Sequence, residues 1–224
     1  MYDRIIKLIG ENNLEKLKKS TVAVIGLGGV GGYSVESLAR SGIGNIIIVD
    51  YDLVDITNLN RQIISNVNNI GQSKVEEYQK RIKEINPDIN IIAINKKLDI
   101  SNLEEIFKYK IDFLIDAIDD IPVKQELIKT CLINNINIIS SMGTGNKLDP
   151  GKLEITDITK TSYDPLAKKI RKYLKTNNIK GNLPVVYSKE QNEKFEGSIP
   201  SMIFVPATAG IMCANYVIRK IIEK

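Results

Sequence analysis

The chain has 224 residues, enough for one large domain with a sizeable core, and its 43% hydrophobic content excludes a disordered chain. A formal net charge of +4 admits an anionic partner without demanding one. There is no histidine, which removes imidazole bases, His triads and His-ligated metals together, and the two cysteines, Cys131 and Cys213, form no CxxC pair, so no structural zinc of that kind is expected.

The chain up to about Lys19 reads as one helix with Leu and Ile on one face, and it lacks the apolar run of a signal peptide. Alternation follows. Thr21 to Ile25 is a buried strand, Val30 to Ser41 a helix and Asn45 to Val49 a second strand. Ser73 to Asn86 is a helix with a polar cap, stopped by Pro87. Ile89 to Ile94 and Ile111 to Ile115 are strands, Pro122 to Asn134 a helix, and Asn137 to Ser140 a strand. Short apolar runs between amphipathic helices predict an α/β fold, with a mostly parallel sheet covered on both faces.

The character changes after Gly143. LEITDI reads as a short strand, PLAKKIRKYLK as a strongly basic helix, and NNIKGNLPVVYSKEQNEKFEGSIPS as irregular. MIFVPATAGIMCANYVI reads as a buried C-terminal helix capped by Thr208, not a membrane span, because polar and helix-breaking residues interrupt it. The expected division is residues 1–145, a nucleotide-binding unit with its N-terminal helix, and 146–224, a smaller α+β portion packed onto it. Cys131 and Cys213 lie in apolar helical stretches and read as small buried hydrophobes, which fits a reducing, cytoplasmic setting.

Gly26, Gly28 and Gly31 satisfy G-x-G-x-x-G between a strand and a helix. Glycines let the backbone turn tightly against a phosphate, and the helix N-terminus offers free N–H groups. Asp50 ends the second strand, where its carboxylate can accept ribose hydroxyls. The motif alone does not choose between NAD and ATP. The segment VDITNLNRQII favours ATP. Attack on the α-phosphorus builds charge on pyrophosphate, which Arg61 and Lys74 can neutralise, with Asn58 and Gln62 as neutral donors. The alternative makes Arg61 a surface residue and Lys74 an exposed lysine in a helix's first turn, mildly opposed to the helix dipole. In FLIDAIDDIPVKQELI, three acids, Asp116, Asp119 and Asp120, stand at a strand's carboxyl end. Carboxylates there suit Mg²⁺; Asp120 is the natural helix cap and Asp119 the preferred metal ligand.

GLGGVGG, VDYD, TNLNRQ, GQSKVE, INP and DAIDD, in that order, resemble the ThiF/MoeB/HesA family of ATP-dependent adenylating enzymes, relatives of the ubiquitin-activating enzymes. The resemblance implies a Rossmann-like adenylation fold. It places ATP on Gly26, Gly28, Gly29, Gly31 and Asp50 and its phosphates on Asn58, Arg61 and Lys74, with Mg²⁺ on Asp119; Asp52 and Gln62 are further candidate ATP contacts. It also implies a homodimer in which Arg4 reaches the partner subunit's ATP site. Ile64 stands where the family often has a histidine. The stretches MGTGNKLDPGKLEITDITKTSYDPLAKKIRKYLK and GSIPSMIFVPATAGIMCANYVIRKII resemble the branch of the family that dehydrates threonylcarbamoyladenosine in tRNA. With a tRNA substrate, Lys168, Lys169, Arg171, Lys172 and Lys175 become candidate phosphate contacts. The competing readings are activation of a ubiquitin-like sulfur-carrier protein, with which a sulfur-transfer partner would go, an NAD-dependent oxidoreductase, and a non-catalytic nucleotide-binding module.

Overall fold

The structure is a computed structural model that describes residues 1–191 and 195–223. Seven strands form one sheet: β1 (Thr21–Ile25), β2 (Asn45–Asp50), β3 (Asn90–Asn95), β4 (Phe113–Asp116), β5 (Ile138–Ser141), β6 (Leu153–Asp157) and β7 (Pro184–Ser188). Their order is β3-β2-β1-β4-β5-β7-β6, all pairs parallel except β6 against β7. Among the described residues seven α-helices accompany them: α1 (Asp3–Ile9), α2 (Glu11–Lys19), α3 (Gly31–Arg40), α4 (Lys74–Ile85), α5 (Ile121–Ile133), α6 (Pro165–Thr176) and α7 (Phe204–Ile222).

The central strands are apolar on both sides because both faces are covered. Val22, Val24, Ile46 and Ile48 join one core cluster with Leu38, Tyr78, Ile82 and Val217, from α3, α4 and α7. Ala23, Ile25, Ile47 and Val49 point the other way, into a second cluster with Leu127, Cys131, Ile170 and Leu174, from α5 and α6. This is the two-residue period of a strand buried on both faces. Ile64 packs into the first cluster at 6% exposure.

Three expectations are corrected. The N-terminal segment is two helices, not one: Gly10, at φ +81°, ends α1 and starts α2. The stretch read as irregular after Asn177 contains β7, fully buried between β5 and β6; residues 192–194 of that stretch lie outside the described residues. Flanking turn residues hid this five-residue strand, whose burial comes from partners distant in sequence. Thr208 does not cap the last helix. α7 begins at Phe204, and Pro206 fits in its first turn, where a backbone N–H has no intrahelical acceptor to lose. Among the described residues no helix is long and apolar enough to cross a membrane.

Candidate active site

The strand order reverses between β1 and β4, and open α/β sheets bind ligands at the carboxyl ends beside such a point. A cleft of about 660 Å³ lies there. Gly26, Gly28, Gly29, Asp50, Asp52, Asn58, Arg61, Gln62, Lys74, Asp119 and Asp120 all line it.

The glycine turn is shaped by close approach. Gly26 sits at φ +87°, and a Cβ on Gly31 would lie 1.8 Å from the Gly26 carbonyl oxygen. Gly31 therefore supports the turn from beneath. A Cβ on Gly28 would meet only Gln62 Nε2, at 3.9 Å, so the space above this residue is open. Asp50 ties the turn to the sheet: its Oδ2 accepts from Leu27 N at 2.6 Å and its Oδ1 from Tyr51 N and Asp52 N at 2.7 and 2.8 Å.

The polar segment after β2 folds as a capped turn. Asp55 accepts from Thr57 N at 2.8 Å, and Asn58 Oδ1 accepts from Asp55 N at 3.1 Å. Arg61 N and Gln62 N then donate to Asn58 O, which puts Asn58, Arg61 and Gln62 on one side of the turn. Arg61 Nη1 donates to Thr57 O at 2.7 Å and Asn60 Oδ1 at 2.9 Å, and among the described residues no carboxylate pairs with it. Gln62 is 6% exposed and its Oε1 is buried without a partner, an unmet acceptor at the cleft wall.

Lys74, the first residue of α4, is buried at 3% exposure, against the reading that left it in solvent. Its Nζ donates to Asp52 Oδ2 at 2.8 Å. The acids after β4 divide into three roles. Asp120 caps α5, accepting from Val123 N at 3.1 Å. Asp116 does not reach the cleft: it is wholly buried and paired with Lys124 Nζ at 2.8 Å, while Ser140 Oγ donates to the same carboxylate. Asp119 is exposed, lines the cleft and has no protein partner among the described residues. A single free carboxylate suits Mg²⁺, which keeps waters and phosphate oxygens as its other ligands. No group of three or more His, Cys, Asp or Glu side chains placed to hold a metal occurs among the described residues.

The sequence reading missed Lys96, Lys97, Thr144 and Ile199, which also line the cleft. Lys96 pairs with Glu105 at 2.6 Å, and Lys97 Nζ lies 5.4 Å from the Tyr51 ring centre. Their place just past β3 was a usable signal, since the strand's carboxyl end faces the ligand side. Ile199 had none; it comes from far along the chain. Arg4 is exposed on α1 and does not line its own chain's cleft.

The basic helix α6 is separate from the cleft lining. Ala167, Ile170 and Leu174 form its buried face. Lys168, Lys169, Lys172 and Lys175 lie in solvent and have no ion pair among the described residues. Arg171 differs: its Nη1 turns inward to Thr161 Oγ1 and to the Ile158 and Thr161 carbonyls.

The profile of the ThiF family matches residues 2–224. The chain belongs to the ThiF family. Among its ThiF-family relatives, the tRNA threonylcarbamoyladenosine dehydratase of Bacillus subtilis is 41% identical, over 96% of this chain and 92% of the relative. The crystal structure of the Escherichia coli tRNA N6-threonylcarbamoyladenosine dehydratase, TcdA, in complex with ATP superposes with a TM-score of 0.94 at 32% identity, covering 99% of this chain and 93% of that one. The molybdopterin-synthase adenylyltransferase of Haemophilus influenzae is 36% identical, but over only 62% of this chain and 58% of its own length. The ThiF fold expected from the glycine motif and its neighbours is thus the fold observed.

Proposed function

We propose that this protein is an ATP-dependent tRNA threonylcarbamoyladenosine dehydratase, cyclising the modified nucleoside by carboxylate adenylation. The observation that carries the reading is the end-to-end similarity to such dehydratases, C-terminal portion included, around a cleft in which, among the described residues, Arg61 has no carboxylate partner and Asp119 no protein partner beside an open glycine turn. In this reading residues 1–145 bind ATP and 146–224 meet the tRNA.

The threonyl carboxylate attacks the α-phosphorus and pyrophosphate leaves. The substrate's own carbamoyl group then attacks the acyl carbon and loses a proton, and AMP departs carrying one carboxylate oxygen. The nucleoside ends one water lighter while ATP becomes AMP and pyrophosphate. A carboxylate is already ionised near pH 7, so the first step needs no base, and ring closure is intramolecular, so positioning supplies much of its rate. This suits a chain without histidine. Arg61 and Lys74, the latter oriented by Asp52, would stabilise charge on the leaving pyrophosphate, with Asn58 and Gln62 as neutral donors. Gly26, Gly28 and Gly29 would leave the phosphates room, and Asp50 would meet the ribose with the lone pair left on Oδ2. Asp119 would hold Mg²⁺, which would supply further charge neutralisation at the phosphates.

The lysines of α6 would carry tRNA phosphates, four by exposure, and Arg171 would support the helix from within. The active form would be a homodimer with Arg4 contributed across the interface, working in the cytoplasm. Activation of a ubiquitin-like sulfur-carrier protein is the alternative, favoured by the partial match to a molybdopterin-synthase adenylyltransferase.

Incubation with ATP, Mg²⁺ and tRNA bearing threonylcarbamoyladenosine, followed by digestion and mass analysis, tests the proposal. A nucleoside one water lighter, absent without ATP and absent for Arg61→Ala, is expected. An unchanged nucleoside, with pyrophosphate exchange stimulated by a carrier protein, would overturn it in favour of the alternative.

A further inference from the structure

Among the described residues four non-glycine residues occupy the left-handed backbone region: Asn135, Asn146, Asn178 and Tyr163, the last at φ +57°. Asparagine tolerates that region; a bulky aromatic residue is strained there. Tyr163 recovers little from the interior. It is 64% exposed, and among the described residues its hydroxyl has no partner and no cation lies over its ring.

The following residue is pinned. Asp164 is buried and caps α6, accepting from Ala167 N at 2.8 Å, and its other oxygen accepts from Gly143 N at 3.1 Å. Gly143 directly precedes Thr144, which lines the cleft. Tyr163 thus directly precedes the residue that ties the first turn of α6 to the backbone next to the cleft lining. From that turn run Lys168, Lys169, Lys172 and Lys175, exposed and unpaired among the described residues. An aromatic ring in solvent next to a track of free cations is the pairing that binds single-stranded nucleic acid, bases stacking on the ring and phosphates following the charges.

We infer that Tyr163 is a stacking platform for an unpaired base of the RNA substrate, next to the nucleotide that enters the cleft, with the α6 lysines holding the flanking phosphates. The inference rests on the tRNA reading above. The strain at Tyr163 is then retained for the ring's position, which neither Gly nor Asn would supply.

The test uses the full chain and an RNA stem-loop carrying threonylcarbamoyladenosine in its loop. Affinity is measured across a salt series, beside ATP binding and the unfolding midpoint. Tyr163→Asn and Tyr163→Gly should weaken RNA binding by about tenfold or more with the salt slope unchanged. Their ATP binding should hold, and their unfolding midpoints should stay level or rise, since both residues relax the backbone. Tyr163→Phe should bind RNA as the parent chain does. Lys169→Ala should instead reduce the salt slope by about one. Parent-like RNA affinity in Tyr163→Asn, or a lowered midpoint in both Asn and Gly variants, would overturn the stacking role alone. A parent chain that binds ATP but no RNA would overturn the tRNA reading and this inference with it.

Discussion

Asp116 and Lys124 form an ion pair of 2.8 Å with both side chains wholly buried, and the pair grips the backbone of the residue before Asp119. Ile118 N donates to Asp116 Oδ1 at 3.2 Å, and Lys124 Nζ donates to Ile118 O at 3.1 Å. The first acid of the DAIDD stretch therefore sets the path of the loop that carries the candidate metal ligand, instead of entering the cleft itself.

Removing one partner leaves a buried, uncompensated charge. Lys124→Met should cost about 3–5 kcal/mol, read from the urea midpoint. The double variant Lys124→Met with Asp116→Asn should recover much of that loss, because it removes the orphaned charge.

Two glycines of one motif should differ in what their substitution does to stability. Gly31→Ala drives a Cβ into the Gly26 carbonyl, at 1.8 Å, and should lower stability as well as ATP binding. Gly28→Ala meets nothing closer than 3.9 Å, so the unfolding midpoint should hold while ATP affinity falls. Thermal unfolding and nucleotide titration of both variants check the contrast.

Glu36 joins α3 to α4. Arg81 donates to it at 2.6 and 3.0 Å, and Arg40 at 2.7 Å. Burial by itself would raise the carboxyl pKa, but the hydrogen bonds from Arg81 and Arg40, with their charges, outweigh it and hold the group below its ordinary 4.5. A depressed folded-state pKa contributes stability above the unfolded value and loses it as pH falls through the folded one. Glu36→Gln should therefore cost about 1–2 kcal/mol at pH 7. Its deficit against the parent should shrink below about pH 4.5 and vanish under the folded pKa, read from unfolding midpoints across pH.

Both thiols should be inert in the native protein. Burial pushes Cys213 up to about 12 and raises Cys131 as well. Both side chains are buried. A thiol alkylating reagent at pH 7.5 should leave adenylation intact and label neither cysteine until the chain is unfolded, as mass spectrometry would show.

Arg171 and Lys172 are neighbours with different work. Arg171→Ala removes donors to the Ile158 and Thr161 carbonyls and should lower stability. Lys172→Ala should leave stability within about 0.5 kcal/mol and weaken tRNA binding, most at low salt.

The parallel strands, the helices between them and about half of the cleft lining were legible because each rests on short-range regularities: unbroken apolar runs, capping residues and the glycine spacing. Asp120 as the cap of α5 and Ser73 as the cap of α4 belong to the same class, since a cap's partner lies three residues away. β7 was not legible. Its five residues are a strand because β5 and β6 flank them, and neither neighbour is near in sequence.

The sequence by itself determined the glycine turn, the parallel character of the sheet and the identity of the charged groups, for these follow from residue type and local spacing. Tertiary structure decided what each charge is for. Asp116 and Asp119 are three positions apart and chemically identical, yet one is sealed against Lys124 and the other lies open in the cleft. Arg171 and Lys172 are adjacent, yet one is spent on backbone carbonyls and the other faces water. The free energy of a charge depends on its solvent and its nearest opposite charge, and both come from elements that only folding brings together.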